Sequence, residues 1–192
     1  DLQSIRPVMI HAQLLGPDQL PAVKRLGVIP SFFVSHVHRW GDIHLENLGA
    51  GRASFISPAG SAARLGIPFT FHTDAPVLPP DILETVWCAV NRMTRSGRSL
   101  GPEERVDARS ALEAVTVHAA YQYFEEREKG TLTPGKRADL VILDRDPMAV
   151  PPEELRELRV LETWKDGRRI FPKVGQASAQ WEKNPCIFPE ND

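Results

Sequence analysis

The stretch Ile67-Pro68-Phe69-Thr70-Phe71-His72-Thr73-Asp74 decides how this chain is read. It is a short apolar and β-branched run, consistent with a buried strand, that ends abruptly in polar side chains and a carboxylate. The same arrangement occurs twice upstream. Val8-Met9-Ile10-His11 reads as a short buried strand closed by His11, and Val28-Ile29-Pro30-Ser31-Phe32-Phe33-Val34 reads as a strand closed by His36. Between these two a helix is expected over 18–26, with Asp18 as N-cap, Leu20, Val23 and Leu26 on one face, and Gly27 as the stop. Pro21 falls in its first turn, where the missing N–H costs little.

Working outward, residues 36–52 read as a polar loop, followed by a short segment at Ser54-Phe55-Ile56 and a small-residue helix over 60–65 that stops at Gly66. Leu83, Val86, Trp87, Val90 and Met93 recur at helical spacing and predict a helix over 83–95. Another begins near Asp107 and includes Ala111, Leu112 and Val115, with a second helical stretch over 116–128. Strands alternating with helices at this spacing argue for βαβ units on a parallel sheet. From Gly130 the pattern changes. Pro134-Gly135 is a turn pair, 138–143 reads as a buried strand, and 160–165 and 168–171 flank Asp166-Gly167, a strong hairpin signal. An all-β unit therefore follows the α/β part, and from Lys173 onward no periodicity is left.

Composition places the 192 residues among ordinary globular chains, with 42% hydrophobic and 25% charged residues. A net charge of -2 with no basic run argues against a nucleic-acid partner. No apolar stretch approaches the roughly 20 residues that cross a bilayer, so no membrane partner is expected. Cys88 and Cys186 lie far apart and outside any CxxC pattern. Cys88, in Val86-Trp87-Cys88-Ala89-Val90, reads as a buried free thiol, which favours a reducing compartment and a cytoplasmic location. The start at Asp1-Leu2-Gln3, without an initiator methionine, reads as an internal point of a longer chain.

Functional groups of parallel α/β folds gather at the carboxyl ends of strands, where the following loops converge. His11, His36 and Asp74 each end a strand, and two neutral imidazoles with a carboxylate suit Zn²⁺. A carboxylate beside metal-bound water can also accept its proton. Taken singly, a histidine at a strand end is more often structural than a ligand; three at matching positions make the metal reading competitive. The neighbouring polar residues have blander readings. His44 is most simply solvated, His118 suits a helix cap, and Lys136 and Arg137 a solvated surface.

The order His11-Ala12-Gln13-Leu14-Leu15, Ser35-His36-Val37-His38-Arg39-Trp40-Gly41-Asp42, Ile56-Ser57-Pro58 and His72-Thr73-Asp74-Ala75-Pro76-Val77 resembles the amidohydrolase superfamily. Its nearest branch is amidohydrolase family 3, which includes N-substituted formamide deformylase-like and exoenzyme-regulatory-like proteins. Residues 130–144 are similar to the superfamily's passage from barrel to β-sandwich, and 163–171 to its closing hairpin. The resemblance spans about 5–172. It implies the C-terminal half of a TIM-like (β/α)8 barrel, strands 5–8, over 1–128. Part of a small β-sandwich subdomain over 129–172 and an extended tail over 173–192 complete the division.

The resemblance also implies a divalent metal, zinc first, one or two per full-length protein, with His11 and His36 as the ligands from barrel strands 5 and 6. Asp74 becomes the strand-8 aspartate that binds metal and shuttles a proton, while His38, Trp40 and His72 are candidate substrate contacts. The superfamily's strand-1 His-x-His pair and strand-4 carboxylated lysine or glutamate are not in this stretch. The activity implied is hydrolysis of carbon–nitrogen bonds in non-peptide amides by the full-length protein, with the isolated chain inactive and able to lack its metal. The alternative is a non-enzymatic regulatory or binding protein that kept the fold. Half a barrel leaves strand edges open, so association with the missing N-terminal half, or with a second copy, is expected.

Overall fold

The structure, a computed structural model, describes residues 2–172. The tail expected from Lys173 and the second cysteine, Cys186, lie outside the described residues. The fold is mixed α/β, with two separate three-stranded sheets.

A short helix α1 (Leu2–Ile5) precedes β1 (Val8–His11), which is joined through α2 (Leu20–Leu26) to β2 (Ile29–Phe32). Next come α3 (His36–Ala53), α4 (Ala59–Arg64) and β3 (Thr70–Phe71). The strands run parallel in the order β1-β2-β3, with His11 opposite Phe32 and Phe32 opposite Phe71. β2 is the buried centre, with Ile29, Ser31 and Phe32 at 3% exposure or less. Pro30 is tolerated inside it because pairing to β3 begins only at Ser31, so at Pro30 the strand is bonded on one side.

Three readings are corrected here. β1 is only half-buried, with Ile10 57% exposed, because it is an edge strand whose outer face nothing covers among the described residues. Three strands stand where four barrel strands were expected, since Ser54-Phe55-Ile56 forms turns and β2 pairs directly with β3. The polar stretch after Ser35 is helix α3, interrupted at Gly49, whose φ of 74° and ψ of 158° are not helical. Three glycines and many polar residues hide it from propensity. Packing makes it helical: Val37 and Gly41 are buried, with Leu45 and Leu48 packed on the core. A Cβ on Gly41 would come within 2.8 Å of Thr94 Cγ2, so only glycine lets α3 approach that loop so closely. Asp42 then locks the contact by accepting bonds from the hydroxyls of Thr94 and Ser96 and from the Ser96 N–H.

α2 ends as expected at Gly27 in the left-handed conformation (φ 65°), though its cap is Gln19 and Leu26 is exposed. α5 (Ile82–Asn91) and α6 (Ala108–Val115) are each capped by an aspartate, Asp81 and Asp107, accepting a backbone N–H three residues on. α7 (Val117–Gln122) completes the layer and fixes the leader of β1. The Arg6 guanidinium stacks on Tyr121 at 3.7 Å and pairs with both carboxylate oxygens of Glu126 at 2.7 and 2.9 Å. His118 donates to the Phe69 carbonyl at 3.0 Å and ties α7 to the approach to β3 instead of capping a helix.

The second sheet is antiparallel, in the order β4 (Leu140–Leu143), β5 (Val160–Lys165), β6 (Arg168–Phe171). Asp166 and Gly167 both have positive φ, 49° and 73°, as the tight hairpin requires. β4 was read as buried, yet Val141 and Ile142 are exposed; as consecutive strand residues they point to opposite faces, and neither is covered there by the described residues. The connection before β5, a 3₁₀ stretch at Pro152–Glu157, docks on α5. Trp87 Nε1 donates to the Glu153 carbonyl, Asn91 Nδ2 to that of Pro152, and Leu155 and Leu158 enter the shared core. Cys88 is fully buried, as read, and burial pushes its thiol up to about 12. No helix among the described residues is long and apolar enough to cross a membrane.

Candidate metal centre

His11 is the last residue of β1, His36 the first of α3, four residues beyond β2, and Asp74 lies three residues beyond β3. All three sit past the carboxyl ends of adjacent parallel strands, where the chain turns out of the sheet. His11 Nε2 is 3.8 Å from Asp74 Oδ2, and the His11 and His36 rings are 6.2 Å apart, edge to face. His11, Ala12 and Asp74 all have left-handed backbones, with φ of 63°, 44° and 53°. Such conformations cost non-glycine residues about 1–3 kcal/mol each and persist where the surroundings over-determine them, often at functional sites.

Around this pair and His36 lie the other polar candidates. The His72 ring is 4.9 Å from that of His11, and its Nε2 is buried with no hydrogen-bond partner among the described residues. Trp40 packs its ring 4.7 Å from His36 and Phe33 meets it edge to face at 4.7 Å, the two aromatic rings themselves 6.0 Å apart, so His36 sits in the corner they form. His38 does not join them. Two residues along the same helix, it turns away, donates Nδ1–H to the Met93 carbonyl at 2.9 Å and packs against Trp87. His38, expected as a substrate contact, thus stands apart from His11, His36 and Asp74.

The sequence reading missed His44, taken as solvated, and Gln13. His44 Nε2 lies 3.2 Å from His36 Nδ1 and 3.0 Å from Gln13 Nε2. Once α3 is known to be a helix, the spacing His36, Trp40, His44 at i, i+4, i+8 is the signal that places them on one stripe.

The electrostatics favour neutral imidazoles. His36 is lowered to about 4, first by burial and then by the neighbouring His44 and His11. Burial likewise lowers His72, His44 and His38. A neutral imidazole has a lone pair to offer a metal, whereas a protonated one has none. One consequence is measurable in the metal-free protein. Above pH 6.5 neither the folded nor the unfolded state protonates His36, and nothing is lost. Below it the unfolded chain takes up a proton that the folded one refuses until about pH 4. Denaturant midpoints should therefore fall as pH drops through this window; midpoints flat from pH 7 to 4 would contradict a buried, neutral His36.

Two imidazoles and a carboxylate are a donor set that fits a divalent ion such as zinc. The Nε2 of His72 adds a buried polar atom without a hydrogen-bond partner among the described residues. Donors about 2 Å from one zinc ion stand about 3–3.5 Å from each other, so the His11–Asp74 pair is slightly wide. Among the described residues no three His, Cys, Asp or Glu side chains converge closely enough to hold an ion as they stand.

A parallel α/β sheet with a histidine–carboxylate cluster past its strand ends defines an architecture used by metal-dependent hydrolases. Residues 1–171 match the amidohydrolase family, and the chain belongs to it. It is 34% identical over 137 residues to N-substituted formamide deformylase of Arthrobacter pascens, covering 71% of this chain and 25% of that protein. Among solved structures it is similar to an uncharacterized metal-dependent hydrolase from Pyrococcus horikoshii, with 30% identity and a TM-score of 0.66. That match covers 77% of this chain and 30% of the other. An adenosine deaminase from Xanthomonas campestris with bound zinc shares the fold at 19% identity and a TM-score of 0.61, covering 86% of this chain and 37% of that one. The chain thus spans about a quarter to two-fifths of the length of these relatives.

Proposed function

We propose that the full-length protein is a metal-dependent hydrolase of carbon–nitrogen bonds in non-peptide amides. This chain supplies the second half of its distorted barrel and part of its metal site. The observation that carries the reading is the meeting of His11 and Asp74 at the ends of β1 and β3, the strands on either side of β2, both on left-handed backbone, with His36 beside them. Membership of the amidohydrolase family supports it.

His11, His36 and Asp74 would hold the ion, which when bound acidifies a water and polarises the amide carbonyl. Asp74 would take a proton from the attacking water as the water oxygen bonds to the carbonyl carbon, and would return it to the leaving nitrogen as the C–N bond breaks. Trp40, packed on His36, forms an apolar wall for the acyl or amine substituent. His72 offers its unpaired Nε2 to a polar group of the substrate. Treating the full-length protein with a chelator should abolish amide hydrolysis across a panel of N-substituted amides, and stoichiometric Zn²⁺ should restore it. Turnover that survives metal removal would refute the proposal.

The alternative of a non-enzymatic member that kept the fold has one observation in its favour, the lack of three converging ligands among the described residues. It requires the full-length protein, purified with zinc, to carry well under one ion per chain.

The open edge of β1 belongs to the same proposal. Met9 and Ile10 are exposed there, with Ile5 and Leu14 nearby, and the strand is bonded only to β2 among the described residues. We assign that edge to the remainder of the barrel. Produced alone, residues 1–172 should therefore sediment as dimers or larger species at micromolar concentration and hydrolyse no amide. A stable monomer, or turnover by this piece, would count against the assignment.

A further inference from the structure

Gln13 and His44 are brought together from separate elements, and their geometry fixes protons. The amide nitrogen of Gln13 can only donate, so His44 Nε2, 3.0 Å away, must accept and carries no hydrogen. His36 Nδ1 is 3.2 Å from that same His44 nitrogen. Two lone pairs facing each other at this distance would repel, so the hydrogen sits on His36 Nδ1. The neutral His36 ring then has its free lone pair on Nε2. The Gln13 backbone is itself held, its main-chain carbonyl accepting the Ser57 N–H at 2.9 Å. Phe33 and Trp40 pack against the His36 ring, 4.7 Å away each.

From this arrangement we infer that His44, backed by Gln13, is a positioning residue that sets the tautomer and orientation of His36 so that Nε2 is its coordinating atom. The inference rests on the reading of His36 as a metal ligand. His44 is not a ligand, because the single lone pair of its Nε2 is shared by Gln13 and His36 and could reach an ion only by giving up both. Groups that hold a metal-binding histidine by its other ring nitrogen raise metal affinity about 10- to 100-fold.

The test uses the full-length protein with Zn²⁺ as the probe and a chromophoric chelator as competitor. His44→Ala should weaken zinc binding about 10- to 100-fold. His44→Gln, whose Oε1 can accept from His36, should recover most of that loss. His36→Ala tests the underlying reading separately: unchanged zinc affinity there removes the ligand assignment, whatever His44 does. If His36→Ala lowers zinc affinity and His44→Ala does not, the positioning role is wrong. Equal losses for His44→Ala and His44→Gln would make His44 a ligand or a packing residue and would also overturn it. Should the variants misfold, the unaltered metal-free protein decides. Its ¹⁵N imidazole spectrum should show His36 protonated at Nδ1, and an Nε2-protonated ring would refute the inference.

Discussion

Replacing Asp74 by asparagine in the full-length protein should lower kcat for amide hydrolysis by about 10³- to 10⁴-fold. The two side chains are nearly isosteric, and asparagine is among the few residues that readily adopt the left-handed backbone found here, φ 53°. The substitution therefore leaves the turn after β3 in place. It removes the charge that attracts a cation and the base that takes a proton from water. His11, 3.8 Å away, loses its anionic neighbour at the same time. Zinc stoichiometry measured on the same preparation separates the two losses: a variant that keeps its metal and loses turnover has lost the base. A kcat within tenfold of the parent would remove Asp74 from the chemistry.

The largest effect on stability is expected at Arg92, the biggest fully buried side chain among the described residues. Its guanidinium donates to three backbone carbonyls: Nε to Leu100 at 2.8 Å, Nη1 to Ser57 at 3.1 Å and Nη2 to Ile56 at 2.8 Å. Those carbonyls belong to irregular backbone that has no ladder to satisfy it, so the arginine stands in for missing secondary structure. Arg92→Met fills similar volume but removes all three donors, which leaves the Ser57 carbonyl with only the Ala59 N–H, and should cost about 3–5 kcal/mol. Arg92→Lys should recover only part, because a point ammonium cannot reproduce the planar fork. Denaturant midpoints at unchanged m-value measure both. A loss below about 1 kcal/mol for Arg92→Met would show that water reaches these carbonyls. Since Ser57 also donates its N–H to Gln13, the Met variant should loosen the His44–Gln13 pair too.

Local pattern revealed much of the frame. Alternating apolar runs and turn residues placed β1, β2, β3, the helices after Asp81 and Asp107, and the Asp166-Gly167 hairpin. In each, the side-chain period or the turn chemistry is a property of neighbouring residues. The strand-end rule also brought His11, His36 and Asp74 to one rim. Helix α3 escaped the same reading, because its glycines and polar residues carry no helical preference, and only the approach to Thr94 and Leu100 that Gly41 permits makes a helix there. The burial of β1 and β4 was overestimated for a related reason. An apolar residue records what could be covered, and whether a cover exists depends on elements elsewhere.

What the sequence by itself determined is therefore the class of fold, the family, and which side chains stand where strands end. The tertiary structure alone decided that His38 turns toward Trp87 while His44 turns toward His36, and that Arg92 supports the turn beside the rim. Those outcomes depend on contacts between residues 8 to 55 positions apart, whose distances no local periodicity encodes.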